Sequence, residues 1–118
     1  MRNYKNIITW KRADELTIEI YRITRNFPKE EIYGLTSQIR RSAYSVAANI
    51  VEGSARETDV EFIRFLVIAR GSLAETEYFL HLAYNLKYLS EDEYNTASGL
   101  VNQTFAALHG LIKAVKEG

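Results

Sequence analysis

Apolar residues recur at intervals of three and four in four successive blocks, and this periodicity constrains the fold more than any other feature of the chain. The blocks are Ala13, Leu16, Ile20, Ile23 and Phe27; Leu35, Ile39, Ala43, Val46 and Ile50; Phe62, Phe65, Leu66, Ala69, Leu73, Thr76, Leu80 and Ala83; and Tyr94, Ala97, Val101, Phe105 or Thr104, Leu108, Ile112 and Val115. Spacing of this kind places each set on one face of a helix. No segment alternates apolar and polar residues long enough to read as a strand, and there is no internal repeat. The fold class predicted is all-α: a single domain, residues 1–118, with four helices. Short connections between them imply an antiparallel up-down-up-down bundle. A chain of 118 residues buries roughly 65% of its unfolded surface, enough for a core without staples.

Local signals set the expected boundaries. The first helix spans about Ile7 to Arg25 and is stopped by Pro28, which disfavours helix at the residue before it. PKEEIYG reads as a turn closed by Gly34. The second helix begins near Thr36 or Ser37, either of which is a suitable N-cap. Gly53 and Ser54 mark its end, since glycine accepts the left-handed C′ geometry. After the connector SARETD, Thr58 or Asp59 caps a third helix from about Val60 to Tyr88, roughly 43 Å long at 1.5 Å per residue. Ser90 and Glu93 form a capping box for the fourth, whose Glu91 and Asp92 suit the positive end of the helix dipole and whose Lys113 and Lys116 suit the negative end.

Two helices carry more contact surface than a lone bundle needs. The third has a second apolar set, Ile68, Phe79, Leu82 and Leu86, widened by Val67 and Tyr78; a helix apolar on more than one face is normally buried on more than one face. Gly71 in its middle costs about 1 kcal/mol against alanine, so close approach of another helix is expected there. In the second helix, small residues (Ser42, Ala43, Ser45, Ala47, Ala48, Asn49) separate charged ends and let neighbours come close, other subunits among them. Gln38, Arg41, Ser45, Asn49, Glu52 and Arg56 share a strip roughly 80° wide. This strip is either a solvated face or a polar seam in which Arg41 and Arg56 pair with carboxylates such as Glu52 or Glu75, because buried polar groups need partners. A seam of this kind is structural or lines a ligand cleft.

Composition narrows the function. There is no cysteine, which removes disulfides and Cys-ligated metal sites and is compatible with the expected cytoplasmic location. Fifteen Lys+Arg balance fifteen Asp+Glu, so strongly basic nucleic-acid binding is disfavoured, although a local patch repeated around a ring of subunits would concentrate charge. The start MRNYKNIITWKR lacks the apolar run of a signal peptide, and Phe62–Leu86 is interrupted by Arg64, Arg70, Glu75, Glu77 and His81, so no membrane span is expected. His81 and His109 do not follow a Glu by three residues as di-metal bundle sites require. They read as surface or satisfied histidines, with no metal and no cofactor. No serine sits in an elbow context and no glycine loop cradles phosphate, so no catalytic residue is assigned and an enzyme is not expected. For nucleic acid the candidate contacts are Arg40, Arg41, Arg56 and Arg70. The cations Lys11, Arg12, Arg22 and Arg25 read as a solvated face of the first helix.

The run GLTSQIRRSAYSVAANIVEGSAR followed by EFIRFLVIARGSLAETEYFLHLAYNLKYL resembles the small four-helix-bundle proteins encoded within intervening sequences of bacterial 23S rRNA. The resemblance covers nearly the whole chain after Tyr21. It rests on Gln38-Ile39-Arg40-Arg41, Asn49-Ile50-Val51-Glu52-Gly53, Arg56, and Ala69 through Glu75. It implies a homopentameric ring of bundles with no established biochemical role. A related group, the accessory variability proteins of diversity-generating retroelements, forms pentamers of similar bundles that bind nucleic acid and a reverse transcriptase. The expectation for this chain is therefore a non-enzymatic homo-oligomer acting as a binding or scaffold module for RNA or single-stranded nucleic acid, or alternatively for another protein. A small-molecule site in the seam around Asn49, Glu52 and Glu75 is the third reading.

Overall fold

Two hydroxyl caps launch the two longest helices. Thr58 Oγ1 accepts from the Glu61 amide at 3.2 Å, and Ser90 Oγ accepts from the Glu93 amide at 3.1 Å while the Glu93 carboxylate accepts from the Ser90 amide at 2.9 Å. The computed structural model, which describes residues 2–118, contains α1 (Ile8–Ile23), α2 (Leu35–Ser54), α3 (Asp59–Asn85) and α4 (Glu91–Glu117), with 3₁₀ turns at Tyr4–Asn6 and Lys29–Glu31. Among the described residues there is no strand.

Two boundaries differ from the sequence expectation, and at a third, where α2 ends at Ser54 as expected, the neighbouring glycine has a different role. Neither Thr36 nor Ser37 is the N-cap of α2. The 3₁₀ turn runs straight into the helix through Gly34, and the Glu31 carboxylate accepts from the Leu35 amide at 3.1 Å, so a residue four positions upstream does the capping. Thr36 instead lies in the first turn, 6% exposed, and its hydroxyl has no partner. Gly53 is not a left-handed terminator: it lies inside α2, and no glycine among the described residues has positive φ. A Cβ at Gly53 would stand 2.8 Å from Phe65 Cβ and 3.0 Å from Phe62 Cδ1, so glycine is there to let α3 close on α2. Finally, α3 stops at Asn85 rather than Tyr88. Lys87 takes the left-handed conformation at φ 64°, with Tyr88 N bonded to Ala83 O at 2.9 Å and Lys87 N to Tyr84 O at 3.0 Å. That pair of bonds is a Schellman end, built here on lysine rather than glycine.

Each helix packs on its sequence neighbours, and α1 closes on α4. Side-chain pairs show the directions. Arg40 Nε donates to Thr24 Oγ1 at 2.8 Å and Thr17 Oγ1 to Ala43 O at 3.2 Å. Ser42 and Thr76 hydroxyls meet at 2.9 Å, Thr9 Oγ1 donates to Ala107 O at 3.1 Å, and Tyr84 stacks on Tyr94 at 4.5 Å. Rising numbers meet falling ones between α1 and α2 (Thr17 with Ala43, Thr24 with Arg40), α2 and α3 (Ser42 with Thr76, Gly53 with Phe62) and α3 and α4 (Arg70 with Ile112, Tyr84 with Tyr94). These neighbours are antiparallel, and α1 is antiparallel to α4 in turn. The result is a rod of 44 × 24 × 20 Å.

The predicted stripes form its core. Ala13, Leu16, Ile20, Ile39, Ala43, Val46, Ile50, Leu66, Ala69, Leu73, Leu80, Ala83, Ala97 and Leu108 are fully buried. Of the two alternatives on α4, Thr104 takes the core position, its hydroxyl satisfied by Leu100 O at 2.7 Å, and Phe105 is half-buried beside it. The two ends of the bundle are tied separately. At one end, Tyr88 Oη donates at 2.9 Å to the same Glu31 that caps α2, and its ring meets Phe27 at 5.4 Å.

Two consequences are measurable. Gly53→Ala forces Phe65 or the helix axis to shift and should destabilise the fold by about 1–3 kcal/mol, read as a lowered denaturant midpoint with unchanged m-value. The bond to Glu31 raises the Tyr88 pKa, because losing the proton would leave two anions together. A raised folded pKa means that the stabilisation is complete below the unfolded tyrosine pKa, about 10, and is lost as pH rises through the folded value. Wild type should therefore lose stability more steeply than Tyr88→Phe in this alkaline window. Parallel pH–stability curves would remove that assignment.

Candidate functional site

The polar strip on α2 is half-open. Gln38, Arg41 and Glu52 are exposed, whereas Ser45, Asn49 and Arg56 are partly covered. Asn49 Nδ2 donates to the backbone carbonyl of Ser45 at 2.7 Å, so the Asn49 amide is turned back onto its own helix. The charged ends reach α3. Arg41 is held by Gln38 Oε1 at 3.3 Å and approaches Glu75 at 3.9 Å. Arg56 pairs with Glu52 at 2.7 Å and Glu61 at 3.9 Å, and its guanidinium lies 4.7 Å from the centre of the Phe65 ring. Half-burial of Phe65, expected in the core stripe, follows from this cover. The pairing of Arg41 with Glu75 and of Arg56 with Glu52 is thus present; Arg41–Glu75 and Arg56–Glu61 fasten α2 to α3, whereas Glu52 holds Arg56 from α2 itself.

The four arginines singled out as nucleic-acid contacts do not converge in one chain. Arg40 turns toward α1, stacked 4.7 Å from the Tyr21 ring. Arg41 and Arg56 lie on the α3 side, about 22 Å apart along the helix at 1.5 Å per residue. Arg70 is on the other edge of α3, facing α4.

Open clefts lie on the bundle surface among the described residues, and three of them bear on the candidate residues. One, of about 600 Å³, is lined by Arg2, Ala55, Arg56 and Glu57 at the α2–α3 connection. Arg2 had no signal in the sequence. Its guanidinium sits 4.3 Å from the Phe62 ring centre, donates to Arg56 O at 3.1 Å and pairs with Asp59. Both arginines here are already matched to carboxylates. The second cleft, about 280 Å³, lies between α3 and α4 and is lined by Arg70, His109, Ile112, Lys113, Lys116 and Glu117. His109, Lys113 and Lys116 are spaced by four and three residues, a single helix face that the sequence carried but that reads there as dipole compensation. The third, about 380 Å³, continues along the same two helices and is lined by Ala74, Glu77, Tyr78, His81 and Tyr94. Among the described residues no group of three or more His, Asp or Glu side chains could hold a metal ion, and no helix is long and apolar enough to cross a membrane.

This architecture defines a small four-helix bundle whose surface, rather than an enclosed cavity, offers contact sites. Residues 5–110 match the family model described as 23S rRNA-intervening sequence protein, and the chain belongs to that family. A crystal structure of a protein of unknown function from the S23 ribosomal protein family of Bacteroides thetaiotaomicron superposes with a TM-score of 0.82 at 25% identity, covering 90% of this chain and 96% of that one. No curated protein matches the chain.

The α2–α3 edge makes its own prediction. Arg56→Lys keeps the charge but loses the planar stack on Phe65 and the forked contact to carboxylates. It should lower stability by about 0.5–1 kcal/mol, mostly independent of salt. A loss abolished by high salt would mean that only the exposed ion pairs mattered.

Proposed function

We propose that this chain is a non-catalytic assembly and binding module that works as a homo-oligomer, with self-association through the outer face of α3. The observation that carries this reading is the solvent side of that helix. Val60, Val67, Ile68, Tyr78 and Leu86 are 79%, 40%, 45%, 56% and 46% exposed. An added Cβ on Gly71, in their midst, would meet nothing within 4 Å. The close approach expected at Gly71 is therefore absent inside one bundle, and glycine's cost of about 1 kcal/mol in a helix interior stands unbalanced there. A second copy laid against the notch supplies the balance. Arg64, on the same outward side of the wheel, is placed to find a partner across such a contact, whereas Glu75 already meets Arg41 of α2. Five copies in a ring is the number that the family resemblance suggests.

Nucleic-acid contact is the second reading, and it narrows from four arginines to one. Arg41 and Arg56 are matched to carboxylates and Arg40 to a threonine and a tyrosine ring, whereas Arg70 has no ion pair among the described residues. A protein partner seated on α3 is the alternative to self-association.

Sedimentation at micromolar concentration tests the assembly. The wild-type chain should run as an oligomer, and Gly71→Arg, which fills the notch with a charged side chain at an exposed position, should run as a monomer with unchanged helix content. A wild-type monomer overturns the proposal.

A further inference from the structure

We propose that the cleft between α3 and α4 around Arg70, Lys113 and Lys116 binds an extended phosphate chain, and that the neighbouring tyrosines favour single-stranded nucleic acid as its source. The inference rests on the ligand reading of Arg70 given above; its cationic end shares no residue with the assembly face, and its aromatic end shares Tyr78.

The first support is charge. Arg70, His109, Lys113 and Lys116 open onto one cleft and are all exposed. No ion pair engages Arg70, Lys113 or Lys116 among the described residues. Among the described residues ion pairs engage Arg2, Arg12, Arg22, Arg41 and Arg56. Other cations, Lys11 and Arg64 among them, also lack one, and what sets Arg70, Lys113 and Lys116 apart is that they line the same cleft. In a chain of zero net charge, three unmatched cations at one place are a local excess. The opposing charges are Glu117, which lines the same cleft, and the C-terminal end of the α4 dipole, about half a negative charge. Three full cations outweigh both.

The second support is continuity. Arg70, Ala74, Glu77 and His81 are spaced by four, three and four residues, so they follow one strip of α3 along the α4 side. The third cleft takes up this strip where the basic one ends. It brings in Tyr78, 56% exposed, and Tyr94, whose ring is stacked on Tyr84. Cations followed by an accessible aromatic ring, that of Tyr78, suit an unpaired strand: phosphates are neutralised by the first and a base stacks on the second. A bare polyphosphate would use only the cationic end. Glu77 in the aromatic stretch faces bases rather than phosphates in this arrangement.

The test is fluorescence anisotropy of a labelled single-stranded RNA 12-mer, with inorganic tripolyphosphate as competitor. Three phosphate contacts predict a roughly twentyfold loss of affinity between about 50 and 200 mM salt. Arg70→Gln should weaken binding and reduce that salt effect to roughly sevenfold. Lys113→Gln/Lys116→Gln should reduce it further, and Lys11→Gln, on exposed α1, should change neither. Tyr78→Ala should weaken the RNA by at least about fivefold without altering tripolyphosphate. Each variant is at an exposed position, and circular dichroism confirms its fold. Tripolyphosphate binding that depends on Arg70, with no RNA binding, supports the phosphate site and reassigns its source. No binding of either, or RNA binding indifferent to Arg70, Lys113 and Lys116, overturns the proposal. Sedimentation of the same samples shows whether assembly survives that outcome.

Discussion

The close approach of α2 and α3 at Gly53 is the contact on which the rest of the bundle depends. With Phe65 Cβ 2.8 Å and Phe62 Cδ1 3.0 Å from where a Cβ would stand, the two helices come nearer than ordinary side chains permit. This closeness has consequences in both directions along the pair. It brings Phe65 under the Arg56 guanidinium and Phe62 under that of Arg2. Eleven residues back along α2, it brings the buried Ser42 and Thr76 hydroxyls within 2.9 Å. One hydroxyl donates to the other, and the accepting one donates its own proton to a carbonyl of its helix, Ile39 O for Ser42 or Ser72 O for Thr76, so both buried hydroxyls are satisfied. Small residues in the middle of α2 are thus the condition for a tight α2–α3 pair, against which α1 and α4 complete the square.

Most of this was legible because burial in a helical bundle obeys one period. The stripes Leu35 to Ile50 and Leu66 to Ala83 fall into the core, and the Ser90–Glu93 box starts α4, because those decisions are local to a turn or two. What was not legible depended on residues brought from a distance. Thr36 satisfies the sequence rule for an N-cap, yet Glu31 reaches the Leu35 amide first, since the 3₁₀ turn presents its carboxylate there. Gly53 satisfies the rule for a terminator, yet its role is set by Phe62 and Phe65 across the helix pair. Lys87 lacks the residue type that a left-handed end usually takes, and the Schellman bonds to Ala83 and Tyr84 impose the geometry regardless.

The surface was less legible than the core for a related reason. A charged residue on a helix face is solvated, paired or part of a patch according to what stands opposite, and the sequence does not say what stands opposite. Arg40, Arg41, Arg56 and Arg70 look alike in the chain. In the fold, Arg40 covers Tyr21, Arg41 and Arg56 fasten α2 to α3, and Arg70 alone meets further cations, from α4. Lys113 and Lys116 look like dipole compensation, and their position at the C-terminal end of α4 supports that role. Arg70, arriving from the antiparallel neighbour, adds a charge that the dipole does not require.

The outer face of α3 and the α3–α4 cleft are compatible with each other on the same helix. Val60, Val67, Gly71 and Tyr78 recur at spacings of seven, four and seven, a strip that stays on one side of the helix. Arg70 precedes Gly71 by one residue and is therefore turned about 100° from it, toward α4. A copy docking on the strip need not cover the cleft. It would place the next bundle's cleft at a fixed repeat around the assembly, so that three cations per chain become a band, and a phosphate chain crossing several subunits gains the effective-concentration advantage of linked sites. A neutral chain would then hold a polyanion through geometry rather than through net charge. Tyr78 borders both regions, which makes it the residue at which assembly and ligand binding would meet.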